Sequence, residues 1–216
     1  MSTADLYDAV ARVGQALSSG TRLKMLELLA QGERPVVELA GVAGLNVTTA
    51  SAHLQALRHA GLVSSRRDGR RILYRLSGPD VAALVAHVCV VAEAHRPDVR
   101  AELDTALPTD DIRLMDRAEL LAASDAGQVV VLDVRPGDEY AAGHLPGAIS
   151  IPLDELAARI SEIPADVEVV AYCRGRYCVL SHRAVRLLTE HGYDARLAAD
   201  GMLEWYGDGV PTATSR

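Results

Sequence analysis

The chain has 216 residues, of which 49% are hydrophobic and 24% charged, and a net charge of −7. At about 100 to 200 residues per domain, this length fits one large unit or two small ones, and that apolar content excludes a disordered chain. The start lacks the form of a secretion signal, and the longest mainly apolar stretch, Val81 to Ala94, is broken by His87, Cys89 and Glu93, short of the roughly 18 apolar residues that a membrane span takes. A cytoplasmic protein without membrane contact is expected. Three cysteines cannot build a disulfide framework. With no Phe, the core falls to Leu, Val, Ile and Ala, which suits compact helices and a buried parallel sheet.

Charge is distributed unevenly. Residues 1–108 hold twelve basic against eleven acidic side chains, whereas residues 109–216 hold ten against eighteen. Between positions 56 and 76, Arg58, Arg66, Arg67, Arg70, Arg71 and Arg75 meet only Asp68, a stripe suited to a polyanion.

In chain order, a Ser/Thr-rich start leads into a helix over 22–30, with Gly32 placed to end it. A short helix near 36–43 and a turn at Gly44 to Asn46 precede a helix over 47–59, which is a helix-turn-helix layout. On that last helix Val47, Ala50, Leu54 and Leu57 share one side. Thr48, Thr49, Ser51, Ala52, Gln55 and His59 face outward as small or polar groups able to approach base edges in a major groove. Residues 62–76 read as a β-ribbon turning at Asp68-Gly69, a type I′ signal, which mounts Arg66, Arg67, Arg70 and Arg71 near the tip within reach of phosphates.

The segments Ala16-Leu-Ser-Ser-Gly-Thr-Arg-Leu-Lys-Met-Leu26, Ser51-Ala-His-Leu-Gln-Ala-Leu57 and Gly69-Arg-Arg-Ile-Leu-Tyr74 resemble the ArsR/SmtB-type winged-helix repressors over about residues 5–95. The resemblance implies a homodimer on two-fold symmetric operator DNA, with residues 79–95 as the dimer helix and Val81, Leu84, Val85, Val88 and Val91 on its apolar side. The family's metal sites are not reproduced. Val36-Val-Glu-Leu-Ala40 lacks the thiolate motif, and Asp80 lies seven residues from His87 rather than in an Asp-x-His arrangement. No metal and no cofactor are expected, and Cys89 reads as a small core residue.

Residues 97–111, with a proline near each end and weakened apolar periodicity, mark a linker between a domain over 1–96 and a second over 112–216. In the second, the Val/Ile-rich runs 129–133, 148–151 and 167–172 alternate with helical stretches, the pattern of a parallel sheet wrapped in helices. The expected fold is thus a mainly α winged helix-turn-helix followed by an α/β parallel-sheet domain. Tyr172 ends a strand, and Cys173 opens a loop that feeds a helix from about Val179. Ligands of open α/β sheets bind at such places. Loop N–H groups, the helix dipole and the neighbouring Arg174 and Arg176 are expected to hold Cys173 as a thiolate.

Asp133-Val-Arg135, Glu139-Tyr, Gly143-His144-Leu-Pro-Gly-Ala, Tyr172-Cys173-Arg174-Gly175 and Asp200-Gly-Met-Leu-Glu-Trp205 are similar, in order, to the motifs of a rhodanese (sulfurtransferase) domain over about 112–212. This implies that Cys173 takes sulfane sulfur as a persulfide. The loop Arg174, Gly175, Arg176, Tyr177 and Cys178 would cradle it, and Arg174 and Arg176 would draw an anionic donor such as thiosulfate, a persulfide or a polysulfide. Asp133, Arg135, Glu139 and His144 would brace the loop. A phosphatase would need an arginine six positions after the cysteine to clamp phosphate, and position 179 is Val. Cys178 is either inert or a resolving thiol that closes a Cys173–Cys178 bridge. Three readings join the halves: a repressor whose second domain senses reactive sulfur or oxidant, a sulfurtransferase for which the winged helix supplies dimerisation or a place on DNA, and, third, a metal-responsive regulator. If a dimer places about six to ten arginines on phosphates, log K for DNA falls against log salt with a slope of about −5 to −9, and a salt titration of duplex binding measures it.

Overall fold

A computed structural model describes residues 3–215. Helices α1 (Thr3–Leu17), α2 (Gly20–Leu29), α3 (Val36–Ala43) and α4 (Val47–His59) come first. A short strand β1 (Arg34–Pro35) pairs with β3 (Arg71–Leu76), which pairs in turn with β2 (Val63–Asp68), giving an antiparallel three-stranded wing in the order β1-β3-β2. Asn46 caps α4 by accepting the Thr49 N–H at 2.8 Å, and Gly44, at φ 67°, ends α3 in the left-handed conformation a β-carbon disfavours. Ala50, Leu54 and Leu57 of α4 enter the core as expected, while Val47 stays exposed at the first turn. The hairpin differs from expectation by one residue. Asp68 pairs with Arg71, so the two-residue loop is Gly69-Arg70, with positive φ at Gly69 alone. That is a type II′ pattern, whose first central position wants glycine.

Helix α5 (Pro79–His95) runs on from the wing, and the segment expected as a linker opens with a further helix, α6 (Pro97–Ala106). Pro97 starts it at a position that needs no N–H. Val99, Leu103 and Leu107 recur every four residues along it, an apolar edge too short to stand out among the acidic residues around it.

The remaining elements are β4 (Leu114–Met115), α7 (Arg117–Asp125), β5 (Val129–Asp133), α8 (Gly137–Ala142), β6 (Ile149–Ser150), α9 (Leu153–Arg159), β7 (Glu168–Tyr172), α10 (Val179–Glu190), β8 (Ala195–Ala198) and α11 (Met202–Gly207). The five strands form one parallel sheet in the order β4-β8-β7-β5-β6. Central strand β7 shows the period of two that a strand imposes. Val169, Ala171 and, just beyond, Cys173 join the core under α9 and α10, whereas Val170 and Tyr172 join the opposite core with Met202 and Trp205.

The two halves are packed together through α11. Leu203 belongs to the core of the winged helix, beside Val81 and Val85 of α5. Gly207 sits so close to α5 that a β-carbon would fall 2.5 Å from the Ala83 nitrogen. Gly207→Ala is therefore expected to separate α11 from α5 and to cost about 1–3 kcal/mol as overpacking does, a loss read from thermal or urea unfolding of the full chain.

Candidate sulfur site and its contacts with the winged helix

Cys173 through Cys178 curl from the end of β7 to the start of α10, with Cys178 as the helix N-cap. Cys173 is 2% exposed and its Sγ lies 3.0 Å from Ser181 Oγ and 3.5 Å from the Cys178 carbonyl. The two thiols hydrogen-bond to each other, and Cys178 also receives N–H bonds from Leu180 and Arg174 and feels the Arg174 guanidinium. The Cys178 thiol is thereby pushed down to about 6. Burial, together with that neighbouring anion, pushes Cys173 well above the ordinary thiol range. The amides at the start of α10 thus favour an anion at Cys178, while Cys173 beneath them loses solvent.

Both loop arginines are also committed to carboxylates rather than presented to solvent. Arg174 makes a bidentate pair with Glu139, at 2.7 and 2.9 Å. Arg176 lies among Glu93 at 3.1 Å, Asp200 at 3.5 Å and Glu204 at 3.8 Å. Glu204 further accepts the Gly201 N–H at 2.9 Å and the Arg176 N–H at 3.4 Å, tying α11 to the loop. Gly175 fits closely against this carboxylate, since a β-carbon there would come within 3.3 Å of Glu204 Oε2. Tyr177 is partly exposed and its hydroxyl reaches the Cys89 carbonyl on α5 at 3.5 Å.

The residues expected to brace the loop are placed in three ways. Glu139, buried, holds Arg174 directly. Asp133 and Arg135 form a wholly buried pair at 2.5 Å, and Arg135 also donates to the Gly143 carbonyl at 2.7 Å. His144 stacks on Tyr140 at 3.7 Å and donates from Nδ1 to the Tyr140 carbonyl at 2.8 Å, so its contacts brace α8 rather than the sulfur loop.

The winged helix enters this network at two residues that sequence reasoning passed over. Arg34 of β1 donates to Glu139 at 2.9 Å and to Asp138 at 3.1 Å. Gln31 accepts from Arg135 Nη1 at 2.9 Å and donates to the Arg174 carbonyl at 3.3 Å. Glu27 of α2 also faces the loop, and burial with the nearby Cys178 charge pushes its carboxyl up to about 7. No local motif announces these residues, because their partners are more than a hundred positions away.

On α4 Thr48, Ala52 and His59 are exposed, while Thr49, Ser51 and Gln55 are half-buried. Arg67, Arg70 and Arg71 have no carboxylate partner among the described residues, whereas Arg66 is held by Glu33 at 2.7 Å. No helix among the described residues is long and apolar enough to cross a membrane.

Residues 19–65 match the bacterial regulatory protein arsR family, and residues 116–208 match the rhodanese-like domain. The HTH-type transcriptional regulator Rv0324 of Mycobacterium tuberculosis is 52% identical over 210 residues, covering 96% of this chain and 92% of that protein. A sulfurtransferase of Allochromatium vinosum is 35% identical over 89 residues, covering 41% of this chain and 81% of its own. Among solved structures, the homodimeric winged helix-turn-helix DNA-binding domain from Mycobacterium bovis is 56% identical, covering 44% of this chain and 91% of that one at a TM-score of 0.42.

Alkylation of the reduced protein by iodoacetamide, with the sites located by mass spectrometry, is expected to modify Cys178 with a midpoint near pH 6. Modification should be weak below it, where the thiol is protonated, and strong above it, while Cys173 stays slower throughout.

Proposed function

The chain belongs to the ArsR-type HTH transcriptional regulators that carry a C-terminal rhodanese-like domain, and from that premise we propose that it regulates transcription in response to sulfane sulfur captured at Cys173. The observation that carries this reading is one buried carboxylate. Glu139 holds Arg174 of the sulfur loop on one side and Arg34, at the foot of the wing, on the other. Because β1 pairs with β3, a displacement of Arg174 passes to the wing through Arg34.

The chemistry begins with a proton shared by two thiols. The Cys178 thiolate takes the Cys173 proton, and the Cys173 thiolate attacks the outer sulfur of a persulfide, R–S–SH. The donor S–S bond breaks, Cys173–S–SH forms and R–S⁻ leaves. The Cys178 thiolate, regenerated by losing its proton to solvent, can attack Cys173 Sγ, closing the Cys173–Cys178 disulfide and expelling HS⁻. Either product replaces the thiol–thiolate hydrogen bond inside the loop whose Arg174 carbonyl Gln31 holds. Operator DNA is the partner of the winged helix, and a second copy of the chain is proposed to cover Leu6, Tyr7 and Val10 on α1 and Val90 and Val91 on α5, all exposed.

A second reading, a sulfurtransferase that turns over many times, is favoured by the cavity of about 300 Å³ into which Cys173 opens. Operator binding with and without inorganic polysulfide, for wild type and Cys173→Ser, tests the regulatory reading. Polysulfide is expected to shift wild-type affinity by about tenfold, or 1.4 kcal/mol, and to leave Cys173→Ser unmoved. Equal affinity in all four measurements rejects sulfur-responsive regulation.

A further inference from the structure

The cavity at Cys173 is built by both halves of the chain. Cys173, with Ser181 and His182 of α10, lines it together with Glu93 at the end of α5 and with Arg100, Leu103 and Leu107 of α6 and its C-terminal edge. The helix that replaces the expected linker is therefore a wall of the sulfur site.

Two polar atoms of residues that line it are buried without a hydrogen-bond partner: Glu93 Oε1 on α5, and Arg176 Nε in the cysteine loop, which has Glu204 at 3.8 Å beyond hydrogen-bond reach. One is an acceptor and the other a donor, and each is costly to bury unpaired. Arg100, at the rim, is a cation with no carboxylate partner among the described residues. Three acidic side chains, Glu93, Asp104 and Asp200, share the lining with Arg100 and Arg176. Burial lowers the basicity of His182. That balance of charge disfavours a small dianion such as thiosulfate and suits a ligand carrying both signs. Size points the same way. A space of about 300 Å³ takes roughly ten waters at ~30 Å³ each, close to a solute of about eight non-hydrogen atoms and generous for an inorganic anion.

We propose that the site takes its sulfur from a small α-amino-acid persulfide, with the α-ammonium on Glu93 Oε1, the carboxylate between Arg176 Nε–H and Arg100, and the sulfane sulfur directed at Cys173. This rests on the reading that Cys173 accepts sulfane sulfur, and adds to it the identity of the carrier. Transfer follows the balance given above: the amino-acid thiolate leaves as Cys173–S–SH forms, and it takes up a proton from solvent. Leu103 and Leu107 cover the aliphatic carbon of the donor, and Glu93, from the end of α5, and Arg100, from α6, are specificity-determining residues.

Rates of persulfide formation at Cys173 in the full-length protein test this, followed by mass spectrometry with three donors: the persulfides of cysteine, of cysteamine, which lacks the carboxylate, and of 3-mercaptopropionate, which lacks the ammonium. The cysteine donor is expected to react about tenfold or more faster than either analogue, the size of one lost charge-assisted hydrogen bond. Glu93→Gln should bring the cysteine to mercaptopropionate ratio close to unity, and Arg100→Gln should lower the cysteine to cysteamine ratio. A wild-type ratio near unity, or ratios unchanged in both variants, overturns the proposal. Should Glu93→Gln not fold, the exposed Arg100→Gln decides alone. Sulfur taken up equally from all donors defeats only the carrier assignment, whereas no sulfur on Cys173 from any donor defeats the capture reading as well.

Discussion

The carboxylate of Glu139 is shared by Arg34 and Arg174, and the geometry of the sulfur loop depends on that sharing. A buried acid with two cationic partners is compensated; remove the acid and Arg174 loses its carboxylate partner, and breaking a buried pair in this way costs about 3–5 kcal/mol. The winged helix thus completes the electrostatics of the second domain. Arg135 makes the same demand from the other side, since its buried guanidinium is shared between Asp133 and Gln31 of the first domain. Two domains joined only by apolar contacts would slide, but fixed donors and acceptors of this kind have few alternative arrangements.

Within that frame the loop divides labour between its cysteines. Residue 178 sits where a helix begins, and helix N-termini favour anions. Residue 173 continues the strand's alternation into the core beneath α10 and loses solvent instead. In the proposed chemistry one proton between two sulfurs serves both needs: an anion at the helix start, and a buried nucleophile that is formed when the proton moves across.

Much of the fold was legible because it is written in local periods. The bounds of α4 and α5 follow from apolar spacing, an asparagine cap and a proline start, and β5 reads directly from Val129-Val-Val-Leu-Asp133. The cysteine loop was legible as a place, at a strand end before a helix. Which of its two sulfurs the Leu180 and Arg174 N–H groups meet was not, because that is fixed only in three dimensions. Strands β4 and β8 were missed because Leu114–Met115 is too short to alternate and Ala195–Ala198 contains an arginine and two alanines. Gln31 and Arg34 went unseen for a different reason. A glutamine after a helix and an arginine before a proline are ordinary surface residues until another domain is brought against them.

Helix α6 is at once the tether between the halves and the cover of the sulfur cavity. A second-domain fragment beginning near residue 112 would discard Glu93, Arg100 and Leu103 with the tether, and with them part of the lining of the cavity. Donor preference therefore belongs to the uncut polypeptide, and selection acting on the length or composition of the connector acts on chemistry too.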